Sequence, residues 1–130
     1  MSDLIVSAVV LRDDVGRVLL VRKQGTDRFM LPGGKIEPGE SPDVTIRREC
    51  IEEIDIELDP DRLRLLGTFT SPAANEPGLL VTGHIFEHPL VAGARASAEI
   101  AELLWLDMPY DGSRNDLAPL FEMKVLPLLT

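Results

Sequence analysis

The chain has 130 residues, of which 45% are hydrophobic, and its formal net charge is −9. This length suits one domain with a substantial core and is too short for two domains with stable cores of their own. We therefore expect a single domain over residues 1–130. The negative charge argues against nucleic acid or an anionic membrane as a partner. One cysteine cannot form an internal disulfide.

The N-terminal segment MSDLIVSAVVL contains an acidic residue and no basic region, which is typical of a strand and not of a signal peptide. No apolar run approaches the roughly 20 residues needed to span a bilayer. The sequence therefore predicts a cytoplasmic protein.

The first third of the chain predicts strands and a glycine-containing loop. Residues 4–11 form an apolar run rich in β-branched residues, and a turn at 13–16 separates it from a second strand at 17–22, which predicts a hairpin. A short strand at 29–31 leads into the loop at 31–35, which contains two glycines. Such a loop allows the backbone to approach a ligand closely.

A helix follows this loop. Ser41 suits the N-cap and Pro42 the first helical position, where a missing N–H has no cost. No Gly or Pro interrupts residues 43–58, and Pro60 prevents continuation, so we expect a helix over 43–58. Four apolar residues on one side are expected to face the core: Val44, Cys50, Ile51 and Ile54.

The rest of the chain returns to strands and ends in a helix. Strands are predicted at 62–70 and 78–87, joined by a loop at 71–77, and another strand at 102–106. Apolar residues at helical spacing predict a second helix over 115–128. This order of elements predicts an α/β fold with a mixed β-sheet between two helical layers.

Three glutamates of the first helix are candidate metal ligands. At about 100° per residue, Glu49, Glu52 and Glu53 lie within roughly 100° of one another. Mg²⁺ prefers oxygen ligands, taking one or two carboxylates together with water and substrate phosphates, so this face can hold one ion or two neighbouring ions. Arg48 lies beside the carboxylates and can hold a glutamate in one rotamer. Gly34 can offer a backbone carbonyl to the ion.

The spacing of six residues is more specific than an acidic helix: Gly34, Glu40, Arg48, Glu49, Glu52 and Glu53. A chance match in 130 residues has a probability on the order of 10⁻⁵ to 10⁻⁶ at average residue frequencies. Residues 34–56 resemble the Nudix box, G-x5-E-x7-R-E-U-x-E-E-x-G-U, in which U is a bulky apolar residue. Cys50 replaces one apolar residue, and Asp55 replaces the second glycine, where Asp can adopt a left-handed conformation.

The resemblance implies a Nudix-type α/β/α sandwich and a hydrolase that requires Mg²⁺ or Mn²⁺. Such an enzyme cleaves the diphosphate bridge of a nucleoside diphosphate linked to another group, as in nucleoside triphosphates and nucleotide sugars. The alternative is a non-catalytic Nudix-like module that senses a nucleotide or nucleotide sugar, although such modules usually have a degraded box. Dimers are frequent in the family, so a homodimer is one expectation.

The resemblance also suggests an additional acidic residue. In Nudix enzymes a glutamate from a later loop or strand often completes the metal site or acts as a base. Glu99 and Glu102 both lie in the corresponding region. The spacing E-x-x-W, which recurs in the family, favours Glu102 because Trp105 follows it.

Four further residues are candidate contacts for a nucleotide. Arg28 precedes the glycine-containing loop, and Lys35 lies within the box, so both can neutralise phosphate. Asn75 and Glu76 lie in the loop at 71–77 and can hydrogen-bond a base or a ribose.

Overall fold

Two β-sheets form the framework of the computed structural model, which describes residues 3–129. The first sheet contains β1 (Leu4–Leu11), β3 (Gly33–Lys35), β4 (Arg64–Pro72) and β5 (Leu80–His88). Its strand order is β3-β1-β5-β4, and it is mixed because only β1 and β5 are parallel. The second sheet is the antiparallel pair of β2 (Val18–Lys23) and β6 (Ile100–Leu106).

The helical elements are one α-helix and several short segments. The α-helix, α1, spans Pro42–Ile54. A 3-10 turn at Pro60–Arg62 precedes β4, and the C-terminal helical segment consists of a π-helix at Leu120–Val125 and a 3-10 turn at Leu126–Leu128. No helix in the described part of the chain is long and apolar enough to cross a membrane.

Alternate residues of β1 pack into two cores on opposite faces of the sheet. Ala8 and Val10 pack with the C-terminal helical segment, whereas Val9 and Leu11 pack with α1. Burial on both faces explains why this strand is a nearly continuous apolar run. The predicted α/β sandwich with a mixed sheet between helical elements is therefore confirmed.

The predicted C-terminal end of α1 is wrong by four residues. Asp55 adopts a left-handed conformation, with φ 57° and ψ 41°. Its N–H donates to the Ile51 carbonyl, which is the bond of an αL cap, and the N–H of Ile56 donates to the Cys50 carbonyl. The helix ends here, and the chain beyond it buries Ile56 and Leu58 in the core.

The predicted buried side of α1 is also partly wrong. Cys50 and Ile54 are fully buried, but Val44 and Ile51 are 41% and 51% exposed. Ile46 lies in the core instead. The helix packs on the sheet through a face that includes Glu53, and this carboxylate is consequently withdrawn from solvent.

Three other predictions are corrected by the tertiary structure. The hairpin at 4–22 is reduced to one bridge between Arg12 and Val18, because β1 and β2 belong to different sheets. The strand lies at Gly33–Lys35, where a loop was predicted, and residues 29–31 contribute only isolated bridges. The second helix is irregular and begins later than predicted, since its π-helical part starts at Leu120.

Candidate active site

Glu53 is a buried carboxylate on the inner side of α1. The residue is 1% exposed, and its Oε1 accepts a hydrogen bond from the Gly33 N–H at 3.0 Å. Burial raises the pKa of Glu53 to about 8, with a further contribution from the charge of Glu49. Oε2 is buried and has no hydrogen-bond partner among the described residues. Because a buried acceptor without a partner is costly, this atom marks a place where a cation fits.

Two glycines bring the backbone of β3 next to the carboxylates. A Cβ on Gly34 would clash with the carboxylate of Glu49, and a Cβ on Gly33 would clash with the carbonyl oxygen of Ser7 in β1. Burial raises the pKa of Glu49, although the positive charge of Arg48 acts in the opposite direction. The glycines therefore allow β3 to pass closely between β1 and the acidic face of α1.

Arg48 orients the acidic side chains of the box. Its Nε and Nη2 donate to the two carboxylate oxygens of Glu40 at 2.7 and 2.9 Å, and its Nη1 donates to Glu49 at 3.1 Å. Nη1 also lies 3.5 Å from Oε1 of Glu52, which is half exposed. The bonds from Arg48 lower the pKa of Glu40 to about 2. Because this bidentate pair fixes both side chains, Arg48 and Glu40 hold each other in place beside the other box carboxylates.

The box carboxylates are neighbours but do not form a closed metal cluster. Within residues 3–129, no group of three or more His, Cys, Asp or Glu side chains is arranged to hold a metal ion. Arg48 instead holds Glu49 and approaches Glu52. The donor set still fits a hard divalent cation, because it offers carboxylate oxygens, one of them the unpartnered Oε2 of Glu53, beside a glycine backbone.

Glu99 and Lys23 lie beside these carboxylates. The charge of Glu99 raises the pKa of Glu53, whereas the charge of Lys23 lowers the pKa of both Glu49 and Glu53. Lys23 Nζ and Glu99 Oε1 form an ion pair at 3.4 Å. No sequence motif marks Lys23 as a site residue; the pairing of β2 with β6 brings it next to Glu99.

The structure does not bring Glu102 to the carboxylates. Its Oε1 accepts a hydrogen bond from Arg22 Nε at 2.8 Å across the β2–β6 pair. The next residue, Leu103, packs in the core shared with α1, and alternation along a strand therefore directs Glu102 to the opposite face. The structure thus places Glu99, and not the predicted Glu102, beside the box carboxylates, since E-x-x-W spacing does not report which face of β6 meets α1.

A cavity of about 140 Å³, here called the cleft, opens beside Gly33 and Gly34. Its apolar lining comes mainly from the face of the sheet opposite α1 and from the C-terminal helical segment: Leu4, Val6, Ala8, Met30, Leu31, Val81, Ala118, Leu120 and Phe121. Polar and charged residues also line it: Ser7, Lys23, Lys35, Asn75 and Glu76. Arg28 is not among the lining residues, and its Nη1 donates to the Leu117 carbonyl at 3.2 Å.

The family model of the NUDIX domain matches residues 1–109. A MutT-like protein of Streptomyces ambofaciens is 40% identical over 58 residues, covering 45% of this chain and 37% of that protein. An RNA pyrophosphohydrolase of Pseudomonas putida is 37% identical over 51 residues, covering 39% of this chain and 32% of that protein. The matched part thus spans about a third of the length of these relatives.

A solved structure of a UDP-X diphosphatase is 30% identical, with a TM-score of 0.65, and the match covers 81% of this chain and 51% of that one. Since the family model also matches most of the chain, this protein belongs to the Nudix family.

Proposed function

We propose that this chain is a hydrolase dependent on Mg²⁺ or Mn²⁺ that cleaves the diphosphate bridge of a nucleoside diphosphate linked to another group. The observation that carries this proposal is the buried Glu53 carboxylate, whose Oε2 has no partner among the described residues and which lies close to Glu49 and β3. Two similar proteins bear names of reactions at phosphoric anhydrides, RNA pyrophosphohydrolase and UDP-X diphosphatase, which supports this reaction class.

Glu49, Glu52 and Glu53 are the side chains that would hold the metal, with the backbone of Gly34 beside them. A bound divalent cation supplies neutralising charge to phosphate oxygens and favours ionisation of water. Metal binding would also satisfy Oε2 of Glu53 and offset the repulsion between Glu49 and Glu53, which lie one helical turn apart.

Other residues of the chain bind and orient the reacting groups. Lys23 and Lys35 line the cleft and supply positive charge to the phosphates. Arg48 keeps Glu49 in place while Glu40 holds Arg48 from the other side. Glu99 is the residue we assign as the general base that accepts the proton from the attacking water.

The apolar walls of the cleft are suited to the nucleoside part of the substrate. Small-molecule sites are commonly apolar with a few polar groups that fix orientation. Asn75 and Glu76 are such groups, and they lie in the connection between β4 and β5. We propose that residues 1–130 act as one catalytic domain on a small nucleotide.

A panel of nucleoside triphosphates, nucleotide sugars and dinucleoside polyphosphates, assayed with Mg²⁺ and with Mn²⁺, tests the proposal. A triphosphate should give monophosphate and pyrophosphate, and hydrolysis in ¹⁸O-labelled water should place the label on a phosphate product. Glu52→Gln and Glu53→Gln should each lower the rate by at least ~10²-fold. The exposed Glu57, changed to Gln, is the matched control and should leave the rate unchanged.

Two results would contradict this assignment. Release of only orthophosphate and diphosphate from a triphosphate would indicate cleavage at the terminal phosphate. Nucleotide binding without turnover on any member of the panel would favour the sensing module instead of the enzyme.

A further inference from the structure

A loop over residues 89–99 joins β5 to β6 and carries Glu99 at its end. Val91 and Ala94 of this loop pack against the core shared with α1. Residues 95–99 are all exposed, so burial does not hold the part of the loop that leads directly into Glu99. Segments with few buried apolar contacts open easily, and the position of Glu99 therefore depends on polar contacts.

Two backbone hydrogen bonds attach this exposed part of the loop to the C-terminal end of α1. The Arg95 N–H donates to the Ile54 carbonyl at 3.0 Å, and the Ser97 N–H donates to the Glu53 carbonyl at 2.9 Å. The last carbonyls of a helix have no partner within it, so the loop supplies donors that the helix end lacks. The second bond joins the loop to the main chain of the residue whose carboxylate is buried in the site.

Asp55 adds a side-chain contact to the same attachment. Its Oδ2 accepts a hydrogen bond from Arg95 Nε at 2.9 Å. The glycine of the Nudix box would also adopt the φ of 57°, but it has no side chain that could bind Arg95. The departure from the box at this position thus creates an ion pair between the end of the helix and the loop.

Glu99 is also attached on the side of β2. The Ile100 N–H donates to the Ser97 carbonyl at 3.0 Å and closes a turn in which Ala98 has a left-handed φ of 51°. The Gln24 N–H donates to the Glu99 carbonyl at 2.8 Å. Glu99 therefore lies between two attachments, one to α1 through Ser97 and one to the residue that follows β2.

We propose that the Asp55–Arg95 ion pair positions Glu99 by holding the loop on the end of α1, so that the Glu99 carboxylate stays beside Glu53. Asp55 and Arg95 are positioning residues, because they act through the main chain of the loop and not on the substrate. The role of Glu99 as a general base rests on the proposed function, whereas the attachment of the loop does not.

Hydrogen exchange of single amides, measured in a metal chelator, tests the attachment without requiring turnover. Asp55→Asn removes the charge and keeps a residue that tolerates a left-handed conformation, and Arg95→Gln removes the charge of the partner. Each should lower the protection factors of the amides of residues 24, 95 and 97 by about 2- to 5-fold, since an exposed ion pair shifts an equilibrium by no more than this. The double variant should be no less protected than the single variants, because both substitutions remove the same interaction.

Arg64→Gln is the matched control for these variants. The Arg64 side chain is 76% exposed, against 75% for Arg95, and it forms an ion pair with Glu87 between β4 and β5. Loss of an equally exposed ion pair at this place should leave the three protection factors unchanged.

Kinetics then test whether the attachment positions Glu99. On a nucleotide that the wild type hydrolyses, Asp55→Asn should lower kcat by about 2- to 10-fold with KM unchanged, because a small displacement of a reacting group lowers the rate while the cleft is not altered. In a Glu99→Gln background the same substitution should not lower kcat further, because no base remains to be positioned. A purely structural effect would lower kcat in both backgrounds and would contradict the inference.

The exchange and kinetic results together decide the inference. Unchanged protection factors in both single variants would overturn it, as would effects that add in the double variant. Lower protection without any change in kcat would also overturn it, since the ion pair would then hold the loop without positioning Glu99. If no nucleotide of the panel is hydrolysed, the proposed function fails. Lower protection of the amides of residues 24 and 97 would then still support the inference, and unchanged protection would overturn it.

Discussion

Replacing Glu53 by glutamine should change how the stability of the metal-free protein depends on pH. The substitution keeps the shape of the side chain and the acceptor for the Gly33 N–H, and it removes the ionisable group. Because burial raises the pKa of Glu53 to about 8, the folded protein binds the proton more tightly than the unfolded chain. The glutamine variant has no such proton to lose.

The sign and size of the effect follow from this difference. The stabilising contribution is fully present below the ordinary carboxyl pKa of 4.5 and is lost as pH rises through about 8. Between pH 5 and pH 9 the wild type should lose up to about 4 kcal/mol of stability relative to Glu53→Gln. The raised pKa of Glu49 also makes the folded state less stable as pH rises, and it does so in both the wild type and Glu53→Gln. The lowered pKa of Glu40 affects stability only at more acidic pH.

Urea denaturation in a metal chelator, repeated at pH 5, 7 and 9, measures this difference. The wild type should become progressively less stable than Glu53→Gln as pH rises, while Glu57→Gln should follow the wild type. Parallel stability profiles for the wild type and Glu53→Gln would refute a buried Glu53 with a raised pKa. Added Mg²⁺ should then remove most of the disadvantage of the wild type at pH 9, since it binds the ionised carboxylate.

Three other predictions concern the metal, the helix end and the two glycines. Millimolar Mg²⁺ or Mn²⁺ should stabilise the wild type by about 1–3 kcal/mol in thermal melts, because the metal binds only the folded state. An unchanged melting midpoint in both metals would contradict the metal site. Asp55→Gly should be neutral or stabilising by up to about 1 kcal/mol in chemical denaturation, because the left-handed φ of 57° disfavours a β-carbon; a clear loss would contradict the observed helix end. Gly33→Ala should destabilise the folded protein by about 1–3 kcal/mol, because the added Cβ meets a β1 carbonyl. Gly34→Ala should mainly displace the Glu49 carboxylate and lower kcat. Equal losses of stability in the two alanine variants would contradict this distinction.

The sequence by itself predicted the α/β fold, the family and the residues of the box. This was achievable because the box is local: Gly34, Arg48 and the glutamates lie within 23 consecutive residues, and helical periodicity places the carboxylates on neighbouring positions. The Nudix box also carries the reaction class, since carboxylates at these spacings suit a hard cation. For Asp55, the comparison with the family indicated the helix end more accurately than did the absence of Gly or Pro.

The tertiary structure decided the features that depend on pairing between distant segments. Periodicity could not show that Glu53 lies on the buried face of α1, because Val44 and Ile51 are also apolar but remain exposed. The choice between Glu99 and Glu102 depends on which face of β6 meets α1, and Lys23 enters the site only through the pairing of β2 with β6. The strand order likewise places the loop after β4 opposite the glycines of β3. Local patterns specify which side chains a segment offers, whereas long-range packing determines which of them meet and which are removed from water.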